Sequence, residues 1–110
     1  MEIKLTKEAD KLLLAAYHEY LSRRKAGLAR SASRCFADGY WSTRKPFSTW
    51  LPGDLYDVEC ELVSKGLLAR HITGETALKD DAIAALEDRF SDGLKSLTSY
   101  ISQLIPQFIP

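Results

Sequence analysis

Apolar residues recur every three or four positions near the start of the chain, a spacing that predicts an amphipathic helix over residues 6–24. Thr6 suits the N-cap position, with acidic residues following in the first turn and basic residues in the last, as the helix dipole favours. Gly27 is the expected stop. The residues predicted to face the core are Ala9, Leu12, Leu13, Ala16, Tyr17, Tyr20 and Leu21.

The next segment predicts a shorter helix followed by a loop. The helix is expected to begin near Ser31 or Ser33 and to end by Gly39. Residues 40–52, YWSTRKPFSTWLP, combine two prolines with four aromatic residues, which is typical of a loop held by aromatic side chains. The rings are interpreted either as a small satellite core or as a surface that stacks on bases or contacts a partner. The inward-facing residues of the short helix are expected to be Ala32, Cys35 and Phe36.

A third helix is predicted for the stretch LPGDLYDVECELVSKGLL, because Pro52 and Gly53 suit a helix start and Gly66 suits a stop. Asp54 is expected to cap this helix or to lie in its first turn. The third helix is acidic, since four carboxylates accompany a single lysine. Its expected buried stripe is Leu55, Val58, Leu62 and Val63.

A β-hairpin and two more helices complete the pattern. Residues 68–72 and 75–78 alternate in polarity around a Thr-Gly turn, which predicts the hairpin. Asp80 suits the cap of a fourth helix, and the Ser-Asp-Gly at 91–93 is expected to break or bend it. The fourth helix is expected to bury Ile83, Leu86 and Phe90, and the last helix carries Leu94, Leu97, Ile101, Leu104, Ile105 and Phe108 at helical spacing.

The predicted elements indicate a mainly helical α+β fold, and the length and composition indicate that it is a single domain. With 110 residues, of which 45% are hydrophobic, the chain is long and apolar enough for a single core. We expect residues 1–90 to form the core fold and residues 91–110 to add a C-terminal helix.

The N-terminal stretch has charges spread through its apolar positions and predicts neither a signal peptide nor a membrane anchor, so we expect a cytoplasmic protein without a membrane partner. Cys35 and Cys60 lack Cys-x-x-Cys spacing and are expected to be buried free thiols.

Charge is divided unevenly along a chain whose formal net charge is zero. Residues 1–50 hold ten Lys and Arg against five Asp and Glu, a balance of +5, and residues 51–110 hold five against ten, a balance of −5. Residues 23–45 alone hold seven basic residues against Asp38, an excess of +6. This segment is the part of the sequence that would attract a polyanion most strongly, unless its charges form an ordinary solvated surface.

The predicted order of helix, helix, helix, β-hairpin and helix resembles a winged helix-turn-helix domain. The residues that carry the resemblance are ELVSKGLLARHITGETALKDDAIAALE, positions 61–87, in which a helix ending in a Gly-Leu-Leu is followed by a short hairpin wing and the start of another helix. The resemblance implies a small non-enzymatic transcriptional regulator of bacterial or phage type. It also implies double-stranded DNA as the partner, with the third helix in the major groove and the wing near the phosphates.

From the basic segment and the wing, we predict five nucleic-acid-binding residues. They are Arg30, Arg34, Arg44, Lys45 and Arg70. The acidic third helix departs from the usual pattern, because its carboxylates are repelled by phosphates unless they point away or pair with arginines. Alternatively, Asp57 or Glu59 accepts a hydrogen bond from a cytosine amino group.

The alternative function is a winged-helix module that binds a protein and not DNA. Its contacts would come from the acidic third helix or the aromatic loop, through Asp54, Asp57, Glu61, Trp41 and Trp50. The resemblance also allows a homodimer built on the C-terminal helix, through Leu97, Ile101, Leu104 and Phe108.

Enzymatic motifs and metal-ligand spacings do not occur in the sequence. Its two histidines have no second His or Cys at ligand spacing, and no nucleophile elbow or phosphate-binding loop is present. We therefore expect a protein that is not an enzyme and that uses neither a metal nor a cofactor.

Overall fold

In the computed structural model, which describes residues 4–104, the predicted first helix is α1, Lys7–Lys25. The prediction for its start is confirmed, since the Thr6 hydroxyl accepts a hydrogen bond from the Ala9 backbone N–H at 3.3 Å. Gly27 follows the helix with a φ of 98°, a left-handed conformation that glycine adopts without strain. Residues 12–18 are buried all the way round the helix because three other helices, Arg30–Ser33, Pro52–Ser64 and Leu94–Leu104, pack against it. α1 is therefore the central helix of the core.

The predicted second helix is only one turn long, which corrects its expected end at Gly39. α2 is Arg30–Ser33, and the chain then enters the strand β1, Cys35–Phe36. Strand pairing replaces helix here because the carbonyl of Arg34 accepts from the Leu78 N–H at 3.0 Å, which aligns the chain with a distant strand. Phe36 is buried as expected, but Ala32 and Cys35 are exposed. The prediction of buried thiols is wrong, since Cys60 is exposed as well.

Residues 37–51 form a loop with two short 3-10 turns, Trp41–Thr43 and Phe47–Thr49. Successive rings contact each other along the loop at centroid distances of 4.8 to 5.6 Å. We call this set the aromatic cluster, and its members are Phe36, Tyr40, Trp41, Phe47 and Trp50. The rings are buried or partly buried, as the satellite-core interpretation expected, but they join the main core and do not form a separate one.

α3, Pro52–Ser64, begins and ends as the sequence predicts. Leu51 occupies its N-cap without a side-chain hydrogen bond, and Asp54 lies in the first turn. Leu55, Val58 and Leu62 are buried, whereas Val63 is 38% exposed and does not belong to the buried stripe.

A small antiparallel sheet follows α3. The hairpin is confirmed with shorter strands, β2 at Leu68–Arg70 and β3 at Thr76–Leu78, and β1 adds an unpredicted third strand in the order β1-β3-β2. The His71 N–H donates to the Glu75 carbonyl at 2.8 Å, which leaves a three-residue turn ending in a glycine with positive φ.

Two further helices close the described part of the chain, α4 at Asp80–Arg89 and α5 at Leu94–Leu104. The break at 91–93 is confirmed, as is burial of Ile83, Leu86 and Phe90. α5 packs along α1. The structure is thus mainly helical, with one small antiparallel sheet.

Candidate functional site

The sheet separates the predicted nucleic-acid-binding residues into two groups. The register pairs Leu68 with Leu78 at one end of the β2–β3 ladder and Arg70 with Thr76 at the other. Arg34 contacts Leu78, so it lies at the end opposite Arg70. The turn of the hairpin lies at the Arg70 end, which we call the hairpin end.

At the Leu78 end, Arg30 and Arg34 share one carboxylate. Arg34 donates to the Leu78 carbonyl at 2.7 Å and to Asp80 at 2.6 Å, and only 21% of its side chain is exposed. Arg30 lies 3.2 Å from the same Asp80 oxygen and is 58% exposed. The hydrogen bond from Arg34 and then the Arg34 charge lower the pKa of Asp80. Both arginines are therefore engaged within the fold, and Arg34 joins β1 to the start of α4.

Arg44 and Lys45 lie in the loop between the two 3-10 turns, and both are exposed. The guanidinium of Arg44 lies 4.2 Å from the ring centroid of Tyr40, a cation–π contact that leaves its charge uncompensated by any carboxylate in the described residues. Gly39 and Ser42 of this loop line a cavity together with Arg70, so the first part of the loop lies at the hairpin end.

Arg70 is held against α3 by two contacts. It forms an ion pair with Glu59, and its guanidinium lies 4.8 Å from the ring centroid of Tyr56. Burial raises the pKa of Glu59, the Arg70 charge and hydrogen bond oppose that rise, and Asp38 adds to it. The pair therefore fastens the hairpin to α3 and occupies the Arg70 guanidinium in the free protein.

A cavity of about 160 Å³ lies between the loop, α3 and β2. The turn of the hairpin is close to it, because a Cβ added at Gly74 would lie 2.4 Å from a carboxylate oxygen of Asp38. The cavity is lined by Asp38, Gly39, Ser42, Pro52, Leu55, Tyr56, Glu59 and Arg70. Three separate segments therefore meet at the hairpin end.

The four carboxylates of α3 have different environments. Glu59 pairs with Arg70 on the hairpin side. Glu61 accepts from the Thr6 N–H at 2.9 Å and from the Thr6 hydroxyl at 2.8 Å, so it fastens α3 to the start of α1. Asp54 and Asp57 are exposed and form no ion pair with any residue between 4 and 104.

The residues predicted to contact a protein partner are thus only partly available. Trp41 is 5% exposed and edge-on to Phe47, so its ring lies inside the core in place of the expected surface. Trp50 is partly buried against the same cluster, and Glu61 is occupied by Thr6. Exposed apolar side chains do occur near α3, at Leu51 (70%), Tyr56 (51%) and, on the hairpin turn, Ile72.

The predicted dimerisation residues divide in a similar way. Leu97 and Ile101 are fully buried against the core of one chain, so they have no surface for a dimer contact in this conformation. Leu104 is partly buried against the same core, and Phe108 lies outside the described residues.

Sequence reasoning missed Asp38, Ser42 and Tyr56 as neighbours of Arg70. No spacing rule connects them, because they come from a loop and a helix that only the tertiary fold brings together. In residues 4–104, no three His, Cys, Asp or Glu side chains are grouped as a metal site requires. Within the same range, none of the helices combines the length and the apolar character needed to cross a membrane.

Comparison with known proteins gives no relative, since the chain has no significant match to a protein-family model, a curated protein or a solved structure.

Proposed function

We propose that the protein is a non-enzymatic DNA-binding regulator of the winged helix-turn-helix type. The observation that carries this proposal is the meeting of α3, the hairpin and the loop of residues 37–51 around one cavity, together with two exposed cations of that loop, Arg44 and Lys45, that form no ion pair with residues 4–104. A helix beside a hairpin, flanked by positive charge, matches the shape and potential of a duplex groove and its phosphates.

The topology supports the same proposal. A three-stranded sheet in the order β1-β3-β2, with α3 directly before the hairpin, is compatible with a winged helix. In the helix-turn-helix arrangement, the helix before the recognition helix crosses the DNA backbone. Here the loop of 3-10 turns occupies that place in the chain, and we assign the backbone contact to its Arg44 and Lys45.

Pairing of two α3 carboxylates inside the fold lowers the repulsion expected between this acidic helix and the DNA phosphates. Two of the four carboxylates are used inside the fold, Glu59 by Arg70 and Glu61 by Thr6. Repulsion from phosphate therefore comes mainly from Asp54 and Asp57, against which Arg44 and Lys45 provide attraction of equal formal charge.

The test is binding of fluorescein-labelled duplex DNA of random sequence, followed by anisotropy at about 50 and 200 mM salt. The wild-type protein is expected to bind and to lose affinity steeply with salt. A Lys or Arg that neutralises one phosphate contributes about 1 to the slope of log affinity against log salt, so R44A/K45A should reduce that slope by about 2.

The matched control is K7A/K95A, which removes two exposed cations from α1 and α5 and changes the net charge equally. It should keep the wild-type slope. Equal losses in both double variants would mean that net charge alone, rather than the loop, governs binding. No binding at either salt concentration contradicts the proposal.

A second candidate function is a module that binds a basic protein segment. The observation in its favour is that the unpaired carboxylates Asp54 and Asp57 lie on the same helix as the exposed apolar Tyr56, beside the exposed Leu51. If the protein binds no DNA, the alternative to test is binding of a basic protein segment to this face of α3.

A further inference from the structure

The side chains of one outward row of α3 form no hydrogen bond or ion pair with another element among residues 4–104, and their contacts, Ser64 to the Glu61 carbonyl and Cys60 to Tyr56, stay within the helix. Leu55, Val58 and Leu62 face the core, and Glu59 and Glu61 are fastened to the two sides. Opposite the buried residues, at helical spacing, lie the exposed positions Gly53, Asp57, Cys60 and Ser64. Asp57 is the only member of this row with a charged side chain.

The two carboxylates that the sequence offers for base recognition are therefore not equivalent. Only 14% of the Glu59 side chain is exposed, and both the ion pair with Arg70 and the packing of Arg70 on Tyr56 hold it on the hairpin side. Asp57 is exposed, has no ion-pair partner among residues 4–104, and has only small neighbours along its row. A small neighbour on each side lets a helix approach the floor of a groove closely.

We propose that Asp57 is the base-reading residue of α3 and selects cytosine in the major groove. This inference rests on the proposed DNA-binding function. An ionised carboxylate only accepts hydrogen bonds, and cytosine presents only its N4 amino donor in the major groove. Guanine presents two acceptors and thymine an acceptor with a methyl group, while adenine places the N7 acceptor beside its amino group. Cytosine is therefore the one base that offers a carboxylate a donor with no acceptor on the same base, while the N7 acceptor of adenine opposes the bond to its amino group.

The same chemistry assigns selectivity to the acidic helix α3 and affinity to the basic loop. Positive charge on the loop attracts any duplex, so it supplies affinity without selecting a sequence. A carboxylate on the outward row weakens binding wherever it meets an acceptor, which penalises non-cognate sites more than the cognate one. Affinity and selectivity then come from separate elements, the loop and α3.

The experiment begins with selection of preferred duplexes from the random pool by the wild-type protein. Affinities are then measured for the selected duplex with each of the four base pairs at every position. We expect one position where cytosine is preferred about tenfold, the usual effect of one mismatched base pair. In D57N this preference should be lost at that position alone, while affinity for the unselected pool rises because one negative charge is removed.

The matched control is D54N, which removes the same charge one helical turn away, on the side of α3 that carries Glu61. It should raise affinity for the pool and keep the cytosine preference. Thermal unfolding of D57N should match the wild type, since Asp57 has no ion-pair partner in the described part of the chain. D54N should unfold at a slightly lower temperature, because it loses a favourable charge in the first turn of α3.

The outcomes separate the two proposals. If the wild-type protein binds no duplex, the proposed function and this inference both fail. If it binds but D57N keeps every base preference, or D54N loses the same preference, DNA binding stands and the role of Asp57 is overturned.

Discussion

At the scale of single residues, arginines of identical chemistry have different tasks because their surroundings differ. Arg34 donates to a backbone carbonyl and a carboxylate and is largely buried, and Arg70 lies between Glu59 and Tyr56. Arg44 lies over the Tyr40 ring and forms no ion pair with residues 4–104. The sequence predicted all three as phosphate contacts. Of the three, Arg44 has the guanidinium most available for a phosphate contact, whereas that of Arg34 is bonded to Leu78 and Asp80.

Arg34→Ala is expected to destabilise the protein by about 1–2 kcal/mol, because the Leu78 carbonyl loses its side-chain hydrogen bond. The measurement is urea unfolding followed by circular dichroism. Arg30→Ala is the control, since Arg30 contacts the same Asp80 from a 58% exposed position and its loss should change the midpoint far less. Equal midpoints for Arg34→Ala and the wild type would show that Arg34 is free for another role.

At the scale of elements, the apolar face of α5 is covered by another helix of the same chain. The sequence indicates a helix with a broad apolar set but does not say what covers it. In the structure α1 covers it, and Leu97 and Ile101 are fully buried there. Leu97 and Ile101 therefore belong to the core of one chain, where α5 covers one side of the central helix α1.

Ile101→Ala should lower the free energy of unfolding by about 2–5 kcal/mol through lost burial and the cavity it leaves. This is a large fraction of the stability expected for a domain of this size. Ser99→Ala, at an exposed position of the same helix, is the control and should leave the urea midpoint near the wild-type value. A midpoint for Ile101→Ala that depends on protein concentration would instead indicate that the residue lies between two copies.

At the scale of the whole molecule, the fold redistributes the uneven charge of the sequence. Arg23 pairs with Glu19, and Arg30 and Arg34 share Asp80 from the acidic half of the chain. The +6 excess of residues 23–45 is thereby reduced. Its cations without an ion pair among residues 4–104 are Arg24 and Lys25 near the end of α1 and Arg44 and Lys45 on the loop. The charge balance of the sequence therefore does not show which cations remain without an ion pair in the fold.

A buried histidine of α1 contacts α5. His18 of α1 is 3% exposed and lies 3.1 Å from the Thr98 hydroxyl of α5. Burial lowers the pKa of His18 below its ordinary 6.5, although the charge of Glu19 opposes the shift. Because the unfolded chain takes up this proton first, the contribution of His18 to stability is complete above pH 6.5 and decreases as pH falls through 6.5 toward the folded pKa.

Urea unfolding at about pH 7.5 and pH 5.5 should therefore show a loss of stability in the wild type that is smaller in His18→Gln. His71→Gln, which removes the exposed histidine of the hairpin turn, is the matched control and should keep the wild-type loss. Identical losses in the wild type and His18→Gln would exclude His18 as the source.

The sequence by itself determined the elements whose signals are local. Thr6, Gly66 and the Thr-Gly turn predicted α1, the end of α3 and the hairpin correctly, because caps and tight turns depend on neighbouring backbone groups. The mainly helical α+β class followed from the same local periodicity.

Only the tertiary structure decided what depends on distant partners. β1 replaced a predicted helix because Arg34 and Leu78, far apart in the chain, bond to each other in both directions. Ion pairing and packing likewise decided that Glu59 is engaged while Asp57 is free, and that Trp41 is buried. The physical reason is the same in each case. Burial and ion pairing need a partner from a distant part of the chain, and a local sequence pattern does not identify that partner.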